Sequence, residues 1–363
     1  TTHEKELADL SLVSGCRGQE CSIWRPSTAR NPQSRSARPG EIIVTNARPV
    51  PPPPSSPSHS AIRPHARRGL AVATVFATVA AGVIFAPAAH AAADWKCIAS
   101  DDNYGKYYVP QNVQIVSSVN GVATRLSAWT KTTYTYAGAM ETIANYEIQA
   151  VLPDPSQLAY SLALVEISPQ LRTIEYAQEN FYNAQGKVIW SKIYDPRKPK
   201  EINSQSFDEP FYDAIVDAVF HYGEATQAAA PTRWISLWQV KAKDGSGSSS
   251  IADMTTMRHR GDNLIYWEWV EEKNPQGQVQ EIKFMKKAVN LEQATQKIIE
   301  CKYWSGAAGW QDLAAELDGR YTPIKLDSYE GAGYKRLKAY DAGYQHWVNR
   351  YRTDLPAETA AAK

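Results

Sequence analysis

Ile202–Ile215, INSQSFDEPFYDAI, and Ile324–Leu337, IKLDSYEGAGYKRL, lie 122 positions apart and share one pattern of Ile, Ser, aromatic, Tyr and aliphatic residue at the same places. In each, a short extended stretch with proline close by leads into an amphipathic helix. In the first, Ser206 and Asp208 are candidate N-caps, Pro210 suits the first turn and Gly223 suits the end. Phe211, Ile215, Val219 and Tyr222 then fall on one helical face, and Tyr334, Leu337, Tyr340, Tyr344 and Trp347 mark its counterpart.

Working upstream, both copies read as strands. Arg172 to Tyr182, a turn ending at Gly186 and Lys187 to Ile193 form a hairpin in the first. The second offers Gln293 to Trp304, then Gly306 to Gly309, then Trp310. Ile174-Glu175-Tyr176 is matched with Ile299-Glu300-Cys301, and Leu126 to Tyr136 around Trp129 with Asn263 to Glu272 around Trp267. Trp95 and Trp234 open the copies. Asn274 to Gly277 is a turn before a strand from Gln278 to Ala288. Leu291 to Cys301 also suits a helix by propensity, but comparison with the first copy selects strand. Gly245 to Ser250 reads as a flexible loop. Strands followed by a helix, without βαβ alternation, make the class α+β. The expected architecture is two tandem small domains from an internal duplication, over 92–225 and 226–352, each an antiparallel β-sheet with a C-terminal packed helix.

The formal charge of +1 hides a split. Residues 1–91 hold 10 basic and 5 acidic residues, and residues 92–363 hold 29 and 33. A mildly acidic folded part lacks the clustered cations that phosphate contacts need, so no nucleic-acid partner is expected. All 20 Tyr lie after residue 91, which places the globular part there. Residues 1–68 are rich in Arg, Ser and Pro, and no methionine precedes Met140. They read as disordered, or as sequence translated upstream of the true start. Arg63, Arg67 and Arg68, the uncharged run Gly69 to Ala86, and Ala89-His90-Ala91 have the order of a secretory signal peptide cut near Ala91. The run is a weak membrane anchor, so no integral span is expected after cleavage. Export, to the cell surface, medium or periplasm, follows. Residues 353–363 read as a disordered tail.

The order Trp-x-x-Ile, Trp129-Thr130-Lys131, Ile174-Glu175-Tyr176, Tyr182-x3-Gly186-Lys187-Val188-Ile189 and Ser206 resembles the surface-adhesin protein E family. It also looks like two-repeat secreted proteins of Selenomonas- and Veillonella-type bacteria. The resemblance is strongest in the first copy and departs around Ala307 to Asp318. It implies an antiparallel sheet with a packed helix, and an adhesive role toward host proteins. No binding residue carries over from it.

Little in the sequence points to chemistry. The mature histidines His221, His259 and His346 show no metal-ligand spacing, and there is no CxxC, nucleophile elbow or phosphate loop. No catalytic residue, metal or cofactor is expected. His221 reads as a helix-end histidine, and Arg197, Lys198 and Lys200 as a solvated loop. Glu268 and Glu271 flank Trp267 and Trp269, a pattern that suits either a sugar-binding face or an ordinary amphipathic strand. Arg260-Gly261-Asp262 spells the tripeptide that integrins read, and Gly-Asp-Asn is equally good hairpin-turn chemistry between strands Met254–His259 and Leu264–Val270. Cys97 and Cys301 are the mature cysteines, and either one bridge between the repeats or two thiols fits. The sequence reading is a secreted or surface-attached non-enzymatic binding protein, an adhesin on the resemblance, whose partner would be a host or envelope protein. An envelope structural protein and a secreted hydrolase with an unreadable site are the alternatives. The oligomeric state is not encoded legibly.

Overall fold

The computed structural model describes residues 94–354. The signal-peptide and upstream segments expected above, and the tail beyond 354, lie outside them. The first half runs β1 (Lys96–Ser100), β2 (Tyr104–Tyr108), β3 (Gln114–Val119), β4 (Val122–Tyr134), α1 (Tyr136–Asn145), β5 (Tyr160–Ser168), β6 (Thr173–Tyr182), β7 (Val188–Ile193), β8 (Lys200–Glu201) and α2 (Glu209–Phe220). A short α3 (Glu224–Ala229) links it to β9 (Trp234–Lys241), β10 (Gly247–Asp253), β11 (Arg258–Arg260), β12 (Asn263–Lys273), β13 (Val279–Asn290), β14 (Thr295–Ser305), β15 (Gly309–Asp312), β16 (Thr322–Pro323), α4 (Tyr329–Gly343) and α5 (Gln345–Val348). The fold is α+β, with two tandem sheet-and-helix units.

The two eight-stranded sheets have the same topology. The first is ordered β1-β2-β4-β5-β6-β7 with β3 on β4 and β8 on β6; the second is β9-β10-β12-β13-β14-β15 with β11 on β12 and β16 on β14. All of the pairings are antiparallel. The correspondence reaches single residues. Trp129 pairs with Leu164, and Trp267 with Lys286. Ala177 bulges out of β6 and Ile299 out of β14. Arg172 and Ala294 both take a left-handed backbone, and their carbonyls accept from Ile202 N and Ile324 N, each at 2.8 Å. Tyr212 Oη donates to Pro169 O at 3.1 Å, and Tyr334 Oη to Leu291 O at 2.6 Å.

This register corrects one alignment. Thr173–Tyr176 corresponds to Thr295–Ile298, since Thr173 pairs with Glu201 and Thr295 with Pro323. Ile299-Glu300-Cys301 therefore sits three residues beyond its expected equivalent. The Ser206 and Ser328 hydroxyls also differ. Ser328 caps α4 by accepting from Gly331 N, whereas Ser206 Oγ accepts from Asn203 N in the preceding turn. Asp208 is the N-cap residue of α2, and its carboxylate accepts from Tyr176 Oη at 2.6 Å.

Each sheet buries one face under its C-terminal helix. Leu126, Val165, Ile167 and Ile174 meet Phe211, Tyr212 and Ile215 of α2. Leu237, Leu264, Tyr266 and Val289 meet Tyr334 and Leu337 of α4. Each fully buried aliphatic or aromatic side chain contributes about 1.5–3 kcal/mol by leaving water. The chain then returns. Trp347 and Val348 of α5 join the second core, while Tyr351 joins the first, against Phe220 and Tyr222.

Three elements differ from expectation. Residues 245–250 are not a flexible loop. From Gly247 they form β10, hydrogen-bonded on both sides, and Ser250 is buried. Met254 to Thr256 is a 3-10 turn, so the strand before the Gly261 turn shrinks to β11. Helix α1 is an insertion with no counterpart in the second half. Thr135 caps it through Gly138 N, and a Cβ at Gly138 would stand 2.2 Å from Asn103 O. Its Ala139 and Ile143 build a separate small core with Leu152, Leu158 and Phe181.

Candidate functional site

Alternation along β11 puts Arg258 and Arg260 on one face and His259 on the other. His259 Nε2 lies 2.6 Å from Asp341 Oδ1, which ties β11 to α4. The two arginines face the seam between the halves, where the returning chain supplies Arg350, Tyr351 and Arg352.

The floor of the seam is a buried ion network. Glu224, of α3, is completely buried. Its carboxylate accepts from Arg350 Nε at 2.7 Å, Tyr351 Oη at 2.7 Å and Arg172 Nη1 at 3.3 Å. Burial alone would raise this carboxyl; Arg350 and Arg172 outweigh it and pull the group down to about 2. Arg172 also reaches Glu209 at 2.9 Å, and Arg233 binds both Glu209 and Asp253 at 2.7 Å. Asp213 is the weak member. Its Oδ1 is 3.6 Å from Arg172 and has no hydrogen-bond partner among the described residues. Burial pushes its carboxyl well above the ordinary carboxylate range. First-half, linker, second-half and C-terminal residues thus share one set of charges.

Above this floor opens a groove of about 240 Å³, lined on one side by Gln170 and Leu171 of the β5–β6 turn. Arg258 to Gly261 form the second wall and Arg350 to Asp354 the third. Arg258 spends its donors on the carbonyls of Pro169, Thr255 and Thr256 and on Tyr212 Oη. Arg352 pairs with Asp354 at 2.6 Å. Arg260 Nη2 donates to Leu171 O at 2.9 Å, while its Nε is buried without a partner among the described residues. Burial, then the neighbouring Arg258, lowers the Arg260 guanidinium below its ordinary value. Chemically the groove is lined by arginines that the fold holds in place through their own hydrogen bonds.

The residues singled out in sequence fare unequally. Gly261, at φ 56°, starts the β11–β12 hairpin turn as a type II′ turn requires of its first central residue. Arg260 is folded back against Leu171, so Arg260 and Asp262 are not splayed about an open tip as integrin recognition needs. Trp267 is 1% exposed, stacked 4.4 Å from Phe284, with its Nε1 donating to Glu201. It cannot present a sugar-binding face. Trp269 is half-buried, donates to Glu271 at 2.9 Å and meets the exposed Trp310 edge-on. Glu268 lies on the opposite face from Glu271, buried with Ser250, Tyr266 and Lys287, so the two carboxylates do not converge. Cys97 and Cys301 are not bridged to each other. Cys97 lies in β1, with Sγ 3.8 Å from Ala99 O; Cys301 is buried in β14 beside Val270 and Met285. His221 is the exposed left-handed C-cap of α2.

Sequence reasoning found Arg260 by its tripeptide and missed Arg258, Arg350 and Arg352. The available signal was a repeated Arg-x-Arg, at Arg258-His259-Arg260 and Arg350-Tyr351-Arg352. No group of His, Cys, Asp or Glu among the described residues is arranged to hold a metal ion, and no described helix is long and apolar enough to cross a membrane. Comparison with family models, curated proteins and solved structures finds no match to the chain.

Proposed function

We propose that the protein is an exported, non-enzymatic binding protein whose ligand contact is the groove at the seam of its two halves. The observation that carries this is Arg260, a half-buried cation in no ion pair among the described residues, lining a groove whose other arginines are held in place by the fold. Rigid, pre-set donors lose little freedom on binding, and so suit recognition. The signal-peptide pattern and the resemblance to secreted adhesins support export and a macromolecular partner in the envelope or on a host.

The test applies labelled protein to intact cells of the producing organism and to immobilised host-matrix proteins. Saturable, reversible retention that Arg260→Gln abolishes is expected, with circular dichroism confirming that the variant is folded. Retention unchanged in that variant, or no retention on any surface, would overturn the reading.

A further inference from the structure

Arg258 and Arg260 stand side by side on one face of β11, and neither forms an ion pair with a carboxylate among the described residues. The carboxylates near them are committed elsewhere. Glu224 is held by Arg350 and Arg172, Asp354 by Arg352, and Asp341 by His259. Asp262 is exposed at the turn and adds to the field at Arg352. The Arg258 donors end on carbonyl and hydroxyl oxygens, and its charge is offset only by the field of Glu224, which Arg350 and Arg172 share. Arg260 has no ion pair and one hydrogen without a partner among the described residues, and the field of Glu201, which is itself bound to Lys286, offsets its charge only in part. Two adjacent guanidinium groups, partly or wholly out of water, repel each other strongly unless a counter-charge sits with them.

We infer that the groove is an oxyanion site, in which a carboxylate or phosphate group lies against the Arg260 guanidinium within the field of Arg258. Such a group adds counter-charge beside the two arginines. The guanidinium fork suits it, since carboxylate and phosphate oxygens match its paired N–H groups. Size limits the ligand. About 240 Å³ is less than the roughly 300–1,000 Å³ of ordinary small-molecule pockets, and water takes about 30 Å³ in the liquid. The groove itself holds one anionic group and a few waters, and the rest of a larger ligand would lie outside it. The inserted group is therefore a small free anion or the acidic end or side chain of a larger partner.

This inference rests on the groove being the ligand contact. The experiment uses the full chain at low ionic strength, with three probes: inorganic phosphate, a short peptide ending in a free carboxylate, and the same peptide amidated. Binding is read by thermal shift and by chemical shifts of arginine Nε–Hε groups. Phosphate or the free-carboxylate peptide should raise the melting temperature and move the Arg260 Nε–Hε resonance; the amidated peptide should do neither. A response to the peptide stronger than to phosphate identifies a chain end as the source, and the reverse identifies a free anion. Arg260→Gln should weaken binding about tenfold or more, the cost of one charged hydrogen bond. Arg260→Lys, which keeps the charge and loses the fork, should recover only part of it. Raising the salt should weaken every response through screening. No response to any probe, or responses equal in wild type and Arg260→Gln, overturns the inference. If the probes fail while surface retention still depends on Arg260, the oxyanion site falls and the binding reading stands. If retention fails as well, both fall.

Discussion

Taking the Glu224 carboxylate wholly out of water costs several kcal/mol, which its contacts with Arg350, Arg172 and Tyr351 and the field of Arg258 repay. Glu224→Gln leaves two arginines facing a neutral amide, and should lower unfolding free energy by about 3–5 kcal/mol in urea titrations at pH 7. The pH dependence follows from its lowered value. In the unfolded chain the group titrates near 4.5 and in the folded chain near 2, so its contribution is present above pH 4.5 and lost as pH falls through 2. Asp213 has the opposite sign. Burial raises its folded value, so its contribution is greatest below the unfolded value and declines as pH rises through the folded one. Asp213→Asn should therefore stabilise the protein at pH 8 relative to wild type, and a variant that loses stability there would show that the ionised form is needed. Lys106 gives a third profile. It is buried against the Phe207 carbonyl, with its ammonium 3.6 Å from the Phe207 ring centroid, and burial pulls it from 10.5 to about 8 despite Asp208. The unfolded chain holds this proton longer, so the group adds stability as pH rises from 8 toward 10.5, with a slope of up to about 1.4 kcal/mol for each step of one in pH. Lys106→Met should flatten that rise, as measured by chemical denaturation between pH 7 and 10.

At the scale of elements, the duplication is kept by backbone devices more than by side-chain identity. The left-handed residues Arg172 and Ala294 share a conformation and no chemistry, as do the bulged residues Ala177 and Ile299. The tyrosine that locks each helix to its β5–β6 or β13–β14 turn is shared outright. Tyr334→Phe should cost about 1 kcal/mol, the net value of one hydrogen bond. Tyr212→Phe should cost more, because its hydroxyl also accepts from Arg258 Nη1 at 3.3 Å. Equal costs in denaturant titrations would mean that the seam bond contributes nothing. The same contrast explains what could be read from sequence. The Tyr pair, the faces Phe211–Ile215 and Tyr334–Leu337 and the Trp129–Trp267 match were legible, since each is a residue type at a spacing; the expected faces ran too far, because α2 stops at Phe220 before Tyr222, Tyr344 is exposed where α4 ends and Trp347 belongs to α5. The shift to Ile299-Glu300-Cys301 arose because that stretch repeats the Ile-Glu of Ile174-Glu175, whereas the true equivalents Gln296-Lys297-Ile298 keep the place in the ladder and none of the residue types. Helix α1 was hidden because Thr135-Tyr136-Ala137-Gly138 continues the strand's aromatic pattern, and its cap is recognisable only once Gly138 is seen against Asn103. The Gly-Ser run became a central strand because small hydroxyl residues can pack beneath Glu268, a contact no local pattern shows. The groove was out of reach for a different reason: Arg258 and Arg350 are far apart in sequence, and only the returning chain brings them together.

The whole molecule should behave as one cooperative body, because the charges and the returning chain belong to neither half alone. Arg172 comes from the first half, Glu224 from the linker and Arg350 from the segment after the second helix, and all three are buried together. Tyr351 is still more pointed: the last aromatic of the chain packs into the first core, with its ring 4.8 Å from Phe220 and 5.4 Å from Tyr222. Trp347, four residues earlier, fills the second core and donates to Met254 O at 2.8 Å. In urea, then, tyrosine and tryptophan fluorescence and far-ultraviolet circular dichroism should trace one coincident transition, the signature of two-state unfolding. Tyr351→Ala should remove about 3–5 kcal/mol, as for a large aromatic truncated in a core, together with one hydrogen bond to Glu224. The informative measurement is where that loss is felt. Native-state hydrogen exchange should show protection falling in β5 and β6 of the first half, although the substitution lies at the far end of the second. Loss of protection confined to 345–354 would make the segment a peripheral appendage. Two separate transitions in the wild-type chain would show that the halves fold alone, and that the buried charges between them do not couple their stabilities.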